Sequence, residues 1–419
     1  MWVRTLLKCR FCGKVTNLRL EISGPPHQEI KFQCLGCRNN MGGTLHIDYK
    51  NIETSFEPIN CTEVQGDFLS GGDYSVEYSF DRPVAKPSCQ PHDPLTPYLR
   101  QFPEAERALD LFARARWSQS IASSDWYNFH SLNNAYIQQN YTTFRKIAGI
   151  YLTDEYPMKK RVDLQQTFYQ LHYLFLAPYI PIDKNHGLVL QMTNYVCQNN
   201  EPFVSQIKVF VDHLFAEGYL QAWQKDITKI LDNFANNRDW LAPFGVHLMT
   251  SEASKDYWLK TENYHGAKQF YTDMFEVLGR LLMAIIGLNN IENRGNYQAM
   301  PGNMPKSVKT WDDFAEVSNG LKFKFCQENP FWTLVYNNTF DHKLRNGINH
   351  NKAYLDDTSQ VISYFPDKQG NKCFQIKYYD FMVHTIKTFW ALFDMHQLVK
   401  ILLVRYFLSS SDRYQEEVA

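Results

Sequence analysis

Two matched cysteine pairs, Cys9-x-x-Cys12 and Cys34-x-x-Cys37, constrain this chain more than any other feature of it. Each pair sets two thiolates on one tight turn, and two such knuckles complete a tetrahedral shell for one Zn²⁺ at bonds of about 2.3 Å. Gly13 and Gly36 stand where a knuckle needs positive φ or a close backbone approach. Four thiolates leave no open coordination position, so the expected ion is structural, one per chain, and no catalytic metal is expected. The flanking segments read as β. Residues 16–22 and 29–33 alternate partly, 43–50 alternate cleanly, and 74–80 add a further run. Gly24-Pro25-Pro26 and Gly42-Gly43 read as the turns between them. Residues 1–80 are therefore expected to form a zinc ribbon with a β extension.

The whole chain has nine cysteines, an odd number, and four of them fall in the first 37 residues. That distribution argues for a reducing compartment and one metal site, and against a disulfide framework. Cys61, Cys89, Cys197, Cys326 and Cys373 are scattered and read as inert. The opening residues carry too short an apolar run for a secretory signal. The most apolar stretch, 381–407, is broken by His384, Lys387, Asp394, His396, Lys400 and Arg405 and reads as a core helix, with no membrane expected. The expected location is cytoplasmic.

A net charge of -1 excludes a protein that coats nucleic acid through bulk positive charge. Residues 1–40 differ: Arg4, Lys8, Arg10, Lys14, Arg19, Lys31 and Arg38 face only Glu21 and Glu29. The ribbon thus offers a local site for a nucleic-acid or protein trigger, or simply a well-solvated small domain.

Five prolines between Pro83 and Pro97 mark residues 81–97 as a linker. Beyond them the pattern is helical. Residues 104–117, 164–176, 204–218, 220–234 and 266–286 carry apolar side chains at spacings of three and four. Residues 312–317 and 330–340 read as shorter helices. Tyr169, Tyr173, Phe175, Phe389, Trp390 and Phe393 read as core aromatics rather than base-stacking platforms. The glycines between Gly287 and Gly295 lack the strand and lysine of a phosphate loop. A hairpin from 358–365 and 373–378 precedes a long helix, 379–408, and a frayed polar tail, 411–419. The fold expected is mainly α: the ribbon, a helical domain of unassigned role at 98–258, and a last helical domain at 259–410.

The segment Asp341-His-Lys-Leu-Arg-Asn-Gly-Ile-Asn-His-Asn is the second informative feature. His350 lies four residues beyond Asn346, so the two share a helical face. Arg345 and His350 are about 140° apart on an ideal helix, so the long arginine side chain must swing to reach a shared site. Gly347 reads as local loosening near the helix end. Alternatively, Arg345 pairs with Asp341 or caps the helix, and His350 is a histidine favoured by the helix dipole.

Arg345, Asn346 and His350 resemble the motif of the HEPN superfamily, an Arg, a polar residue and a His at the end of a core helix. The hairpin and long final helix are also similar to HEPN proteins of bacterial antiviral and abortive-infection systems. The resemblance covers residues 260–408. It implies a HEPN-like helical bundle with a β-hairpin insertion and a toxin-like, metal-independent endoribonuclease with Arg345, Asn346 and His350 as catalytic residues. It further implies an RNA substrate and a homodimer that brings two copies of the motif to one cleft. The competing expectation is a non-catalytic scaffold whose zinc ribbon binds nucleic acid or protein while the helical part dimerises.

Overall fold

The structure, a computed structural model, describes residues 2–21, 26–68, 70–79, 84–85, 123–152, 158–197, 200–250, 257–302, 304–319, 322, 340–349, 352–357, 359–367 and 369–418. The chain is mainly α, with small β-sheets at the N-terminal end followed by helical domains. Two compact units are discontinuous in sequence. One gathers described residues from 2–85, 237–267 and 346–383, the other from 123–236, 268–345 and 384–418.

In the first unit, β1 (Trp2–Cys9) pairs antiparallel with β2 (Val15–Glu21), and β3 (His27–Gln33) with β4 (Asn40–Asp48), so each cysteine pair sits at a hairpin end. β5 (Glu53–Ile59) extends the second hairpin into a three-stranded sheet. β6 (Cys61–Val64) and β7 (Tyr74–Ser79) flank the first, giving the order β6-β1-β2-β7 with β7 parallel to β2. Alternation on β3 buries Gln28, Ile30 and Phe32. Leu7, Leu18, Leu20, Met41, Leu45, Ile47 and Val76 join Ile30 and Phe32 in one core with Cys9, Cys34 and Cys61. Arg19 faces Glu77 across the parallel pair and both are buried, Nε donating to the carboxylate at 2.8 Å. Arg19 therefore adds nothing to the positive surface counted from sequence.

Gly42-Gly43 is not a turn. Both residues lie inside β4, where a Cβ on Gly42 would stand 1.9 Å from the Ile30 carbonyl oxygen and one on Gly43 would stand 2.3 Å from that of Glu57. Glycine is needed here because the flanking strands approach from both sides. Of the other turn, Gly24 and Pro25 lie outside the described residues, as do nearly all of the proline-rich segment and residues 104–117. Within that segment Val84–Ala85 (β8) pairs with Tyr257–Trp258 (β9).

The second unit is helical: α1 (Ser123–Ile137), α2 (Tyr141–Tyr151), α3 (Arg161–Leu176), α4 (Ile182–Cys197), α5 (Phe203–Ala216) and α6 (Tyr219–Asn236) precede α7 (Arg238–Thr250) of the first. On α6, Leu220, Trp223, Ile227, Leu231 and Phe234 recur at three and four residues and are all buried, the stripe expected of a helix with one apolar face. Two 31-residue helices, α8 (Tyr264–Arg294) and α11 (Tyr378–Leu408), are buried over most of their length. Such helices belong in a core, and Phe234 of α6 stacks on Phe389 of α11 at 4.3 Å. Among the described residues α8 alone is long and apolar enough to cross a membrane, and 89% of its apolar window is buried inside the fold.

Short α9 (Trp311–Ala315) and α10 (His342–Asn349) lie between those two helices in sequence, and residues 330–339 are outside the described part. A three-stranded sheet, β10 (Ala353–Asp356), β11 (Val361–Tyr364) and β12 (Phe374–Lys377), replaces the expected two-stranded hairpin. The C-terminal tail is tied down rather than frayed. α12 (Ser411–Gln415) leads to Glu416, paired with Arg161 at 2.9 Å, and to Val418, whose carbonyl accepts from Arg145 at 2.5 Å.

Asp394 on α11 is only 8% exposed, and its Oδ1 has no hydrogen-bond partner. Burial pushes its carboxyl up to about 8. The folded chain thus keeps a proton that the unfolded chain releases near pH ~4, so this group favours folding below that pH, and the advantage is lost as pH rises toward 8. Asp394→Asn is expected to stabilise the chain at pH 8 by on the order of 3 kcal/mol and to flatten its pH dependence between 4 and 8. Thermal melts across that range check it; parallel wild-type and variant curves would contradict it.

Candidate functional site

Cys9, Cys12, Cys34 and Cys37 converge, their four sulfurs all within 4.8 Å of one another. Cys9 and Cys37 Sγ are 3.7 Å apart and Cys12 and Cys34 Sγ 3.5 Å. An ion bonded to four sulfurs at about 2.3 Å sets them about 3.8 Å apart, so the cluster can hold a metal ion. Local backbone explains the convergence, because both knuckles repeat one turn. Cys9 N–H donates to Lys14 O and Cys34 N–H to Asn39 O, each at 2.9 Å, while Gly13 and Arg38 N–H return to the Cys9 and Cys34 carbonyls at 3.0 and 2.7 Å. Gly13 takes φ +73° and Arg38 φ +61°. Gly36 makes a close approach, since a Cβ there would stand 3.1 Å from Lys14 Cγ.

The electrostatics ask for a cation. Asn39 donates from its backbone and side-chain N–H groups to Cys37 and, with the neighbouring thiols, brings it down to about 6. The Lys14 N–H favours the Cys12 thiolate, yet desolvation and then the sulfurs of Cys34, Cys37 and Cys9 push that thiol up to about 12. Thiolates this close cannot all ionise without a positive ion among them. Arg38 holds a left-handed conformation that glycine adopts freely, so Arg38→Gly is expected to stabilise the ribbon by about 0.5–1 kcal/mol. A higher denaturant midpoint for loss of ribbon structure would register this; a lower one would refute it.

Of the motif residues, Arg345 and Asn346 are half-buried on α10, and His350 lies outside the described residues. Asp341 does not pair with Arg345. Its Oδ1 accepts the N–H groups of Lys343 and Leu344 at 2.9 Å each and so starts the helix. Arg345 instead forms an ion pair with Glu276 of α8, its guanidinium 5.9 Å from the Phe275 ring centre. Asn319 donates to the other oxygen of Glu276 at 3.2 Å. Gly347 marks a close approach rather than loosening: a Cβ there would stand 2.7 Å from the Tyr364 ring, and the helix runs on to Asn349.

Glu276 also lines a cleft of about 750 Å³ with His130, Asp232 and Arg280. His130 Nδ1 lies 3.5 Å from Asp232, and burial raises the Asp232 carboxyl. Behind Asp232 runs a directed chain of hydrogen bonds. Asn133 Nδ2 donates to Asp232 at 2.7 Å, so Asn133 Oδ1 accepts from His172 Nε2 at 2.6 Å. His172 Nδ1 then accepts from His396 Nε2 at 2.9 Å. Burial keeps both rings neutral, bringing His172 down to about 3 and His396 well below its ordinary value. The chain fixes the orientation of Asp232. Sequence reading missed it, although Asn133, His172 and His396 occupy core-facing helix positions where an apolar residue is the rule.

At the knuckles, Phe11 is 64% and Leu35 40% exposed, beside exposed Arg10 and Arg38. Of the six aromatics expected to be core, Tyr169, Phe175, Phe389 and Phe393 are buried, whereas Tyr173 and Trp390 are half-buried. No protein-family model, curated protein or solved structure matches the chain.

Proposed function

We propose that the chain is a metal-independent endoribonuclease of HEPN type, a cytoplasmic effector that stops growth of an infected bacterial cell. One observation carries the reading: Arg345 is held by Glu276, a residue that itself lines the 750 Å³ cleft. Anchoring at Glu276 limits the freedom of the guanidinium, so less is lost when its fork engages a phosphate. In this mechanism the RNA 2′-OH attacks the adjacent phosphorus and the 5′-oxygen leaves. His350 moves the proton, its ordinary pKa near ~6.5 suiting both directions of transfer. Arg345 stabilises the charge that grows on the phosphoryl oxygens, and Asn346 holds the phosphate or orients the imidazole. Attack by the 2′-OH gives a 2′,3′-cyclic phosphate and a 5′-hydroxyl. Two chains would join two motifs in a homodimer. The ion in the cysteine cluster is a structural Zn²⁺, the choice of four thiolates in tetrahedral spacing.

The test is incubation of the purified chain, briefly treated with EDTA, with RNA and with the same oligonucleotide carrying 2′-deoxy sugar. Cleavage of the RNA alone, with cyclic-phosphate ends, supports the proposal; an inert RNA or a cleaved deoxy substrate sinks it. A second reading, binding without cleavage, is favoured by exposed Phe11 and Leu35 beside Arg10 and Arg38, groups suited to a nucleic-acid or protein partner.

A further inference from the structure

A second cavity, of about 360 Å³, is lined by α3, α4 and α11 within the helical unit. Its chemistry is unlike a core void. Lys400 and Arg405 of α11 both line it, and no carboxylate does among the described residues. Neither cation has a salt bridge there, and Arg405 Nε is buried with no hydrogen-bond partner. Gln397, one turn before Lys400, is 6% exposed, and its buried Nε2 likewise has no partner. Gln166 and Gln170 of α3 add amides from the opposite wall. Ile401 and Val404 supply an aliphatic surface beside them.

Buried donors without partners, here Gln397 Nε2 and Arg405 Nε, are costly, and a chain retains them where something else satisfies them. Burial disfavours the Lys400 ammonium and lowers its pKa. An ammonium, a guanidinium fork and an amide donor together match the oxygens of a phosphate dianion. The aliphatic wall and the α3 amides suit an organic body of the size a pocket of a few hundred Å³ encloses. We infer that this cavity binds an organic phosphate of mononucleotide size, its phosphate between Lys400 and Arg405 and its organic part against Ile401 and Val404. Lys400, Arg405 and Gln397 belong to neither the cysteine cluster nor the Arg345 site, so the inference stands apart from the ribonuclease reading.

Isothermal titration of the full chain tests it, with the four nucleoside monophosphates, glucose 6-phosphate, inorganic phosphate and adenosine as probes. At least one of the five organic phosphates is expected to bind below about 1 mM, at least tenfold tighter than inorganic phosphate or adenosine. Lys400→Met is expected to weaken that binding at least tenfold while raising the melting temperature of the ligand-free chain, since it removes a half-buried cation that has no salt bridge. Gln397→Leu is a second variant that keeps both charges, and it is expected to weaken binding severalfold. Arg345→Lys is expected to leave this binding unchanged, which separates the cavity from the proposed RNA site. Absence of saturable binding by every organic phosphate would overturn the inference. So would wild-type affinity in both Lys400→Met and Gln397→Leu, loss of binding in Arg345→Lys instead, or inorganic phosphate or adenosine binding as tightly as the best organic phosphate.

Discussion

Removing the proposed zinc ion from the Cys9–Cys12–Cys34–Cys37 cluster is expected to unfold the sheets built on residues 2–64. The cluster closes both hairpins at once, and Cys9 and Cys34 are themselves part of the twelve-residue core beneath. A core so small does not carry two sheets unaided, and metal binding in such domains supplies much of the folding free energy, about 10–16 kcal/mol of apparent binding in zinc-finger peptides. Cys34→Ser leaves three thiols and places a buried hydroxyl where Cys34 is fully enclosed. It is expected to cost more than ~4 kcal/mol and to abolish protection of β1–β5 against amide hydrogen exchange. Elemental analysis should find one equivalent of zinc per wild-type chain, released with a strong chelator as that protection disappears. Intact protection in a metal-free sample would show that the sheets stand alone.

The knuckles were legible because ligand spacing and the turn that presents it are both local. The long apolar helices were legible for a related reason: α6, α8 and α11 each repeat their pattern over many residues. Local patterns fail where distant backbone decides. β5 has no alternating apolar face and forms only because β4 offers an edge, and the Gly42-Gly43 pair looks like a turn until strands press on it from both sides. The tail is polar, so its anchoring depends on Arg145 and Arg161, more than 250 residues away in sequence. The same holds for the sites. Asp341 is the obvious neighbour for Arg345, but its carboxylate is consumed in starting the helix, and the partner is Glu276, 69 positions distant. The Asn133–His172–His396 chain joins three helices, and only polar residues in apolar stripes betray it.

Substitutions at the Arg345 motif are expected to separate chemistry from folding. His350→Ala should slow RNA cleavage by about 10²–10⁴, the usual contribution of a positioned proton donor and acceptor. Arg345→Lys should be strongly impaired as well, because a point ammonium cannot engage Glu276 and a phosphate through one planar fork. Stability should barely move in Arg345→Lys. The Arg345 and Glu276 side chains are 23% and 35% exposed, and a partly solvated ion pair contributes about 1 kcal/mol or less. Glu276→Gln keeps the shape of the site but removes the charge that holds the guanidinium, so it is expected to reduce the cleavage rate less than Arg345→Lys does. If Glu276 mattered only for packing, its amide would leave the rate unchanged. Single-turnover cleavage rates, read beside melting temperatures of the same samples, distinguish these cases. A folded His350→Ala variant with undiminished activity would overturn the mechanism and leave binding, with the cysteine knuckles as its surface, as the better account.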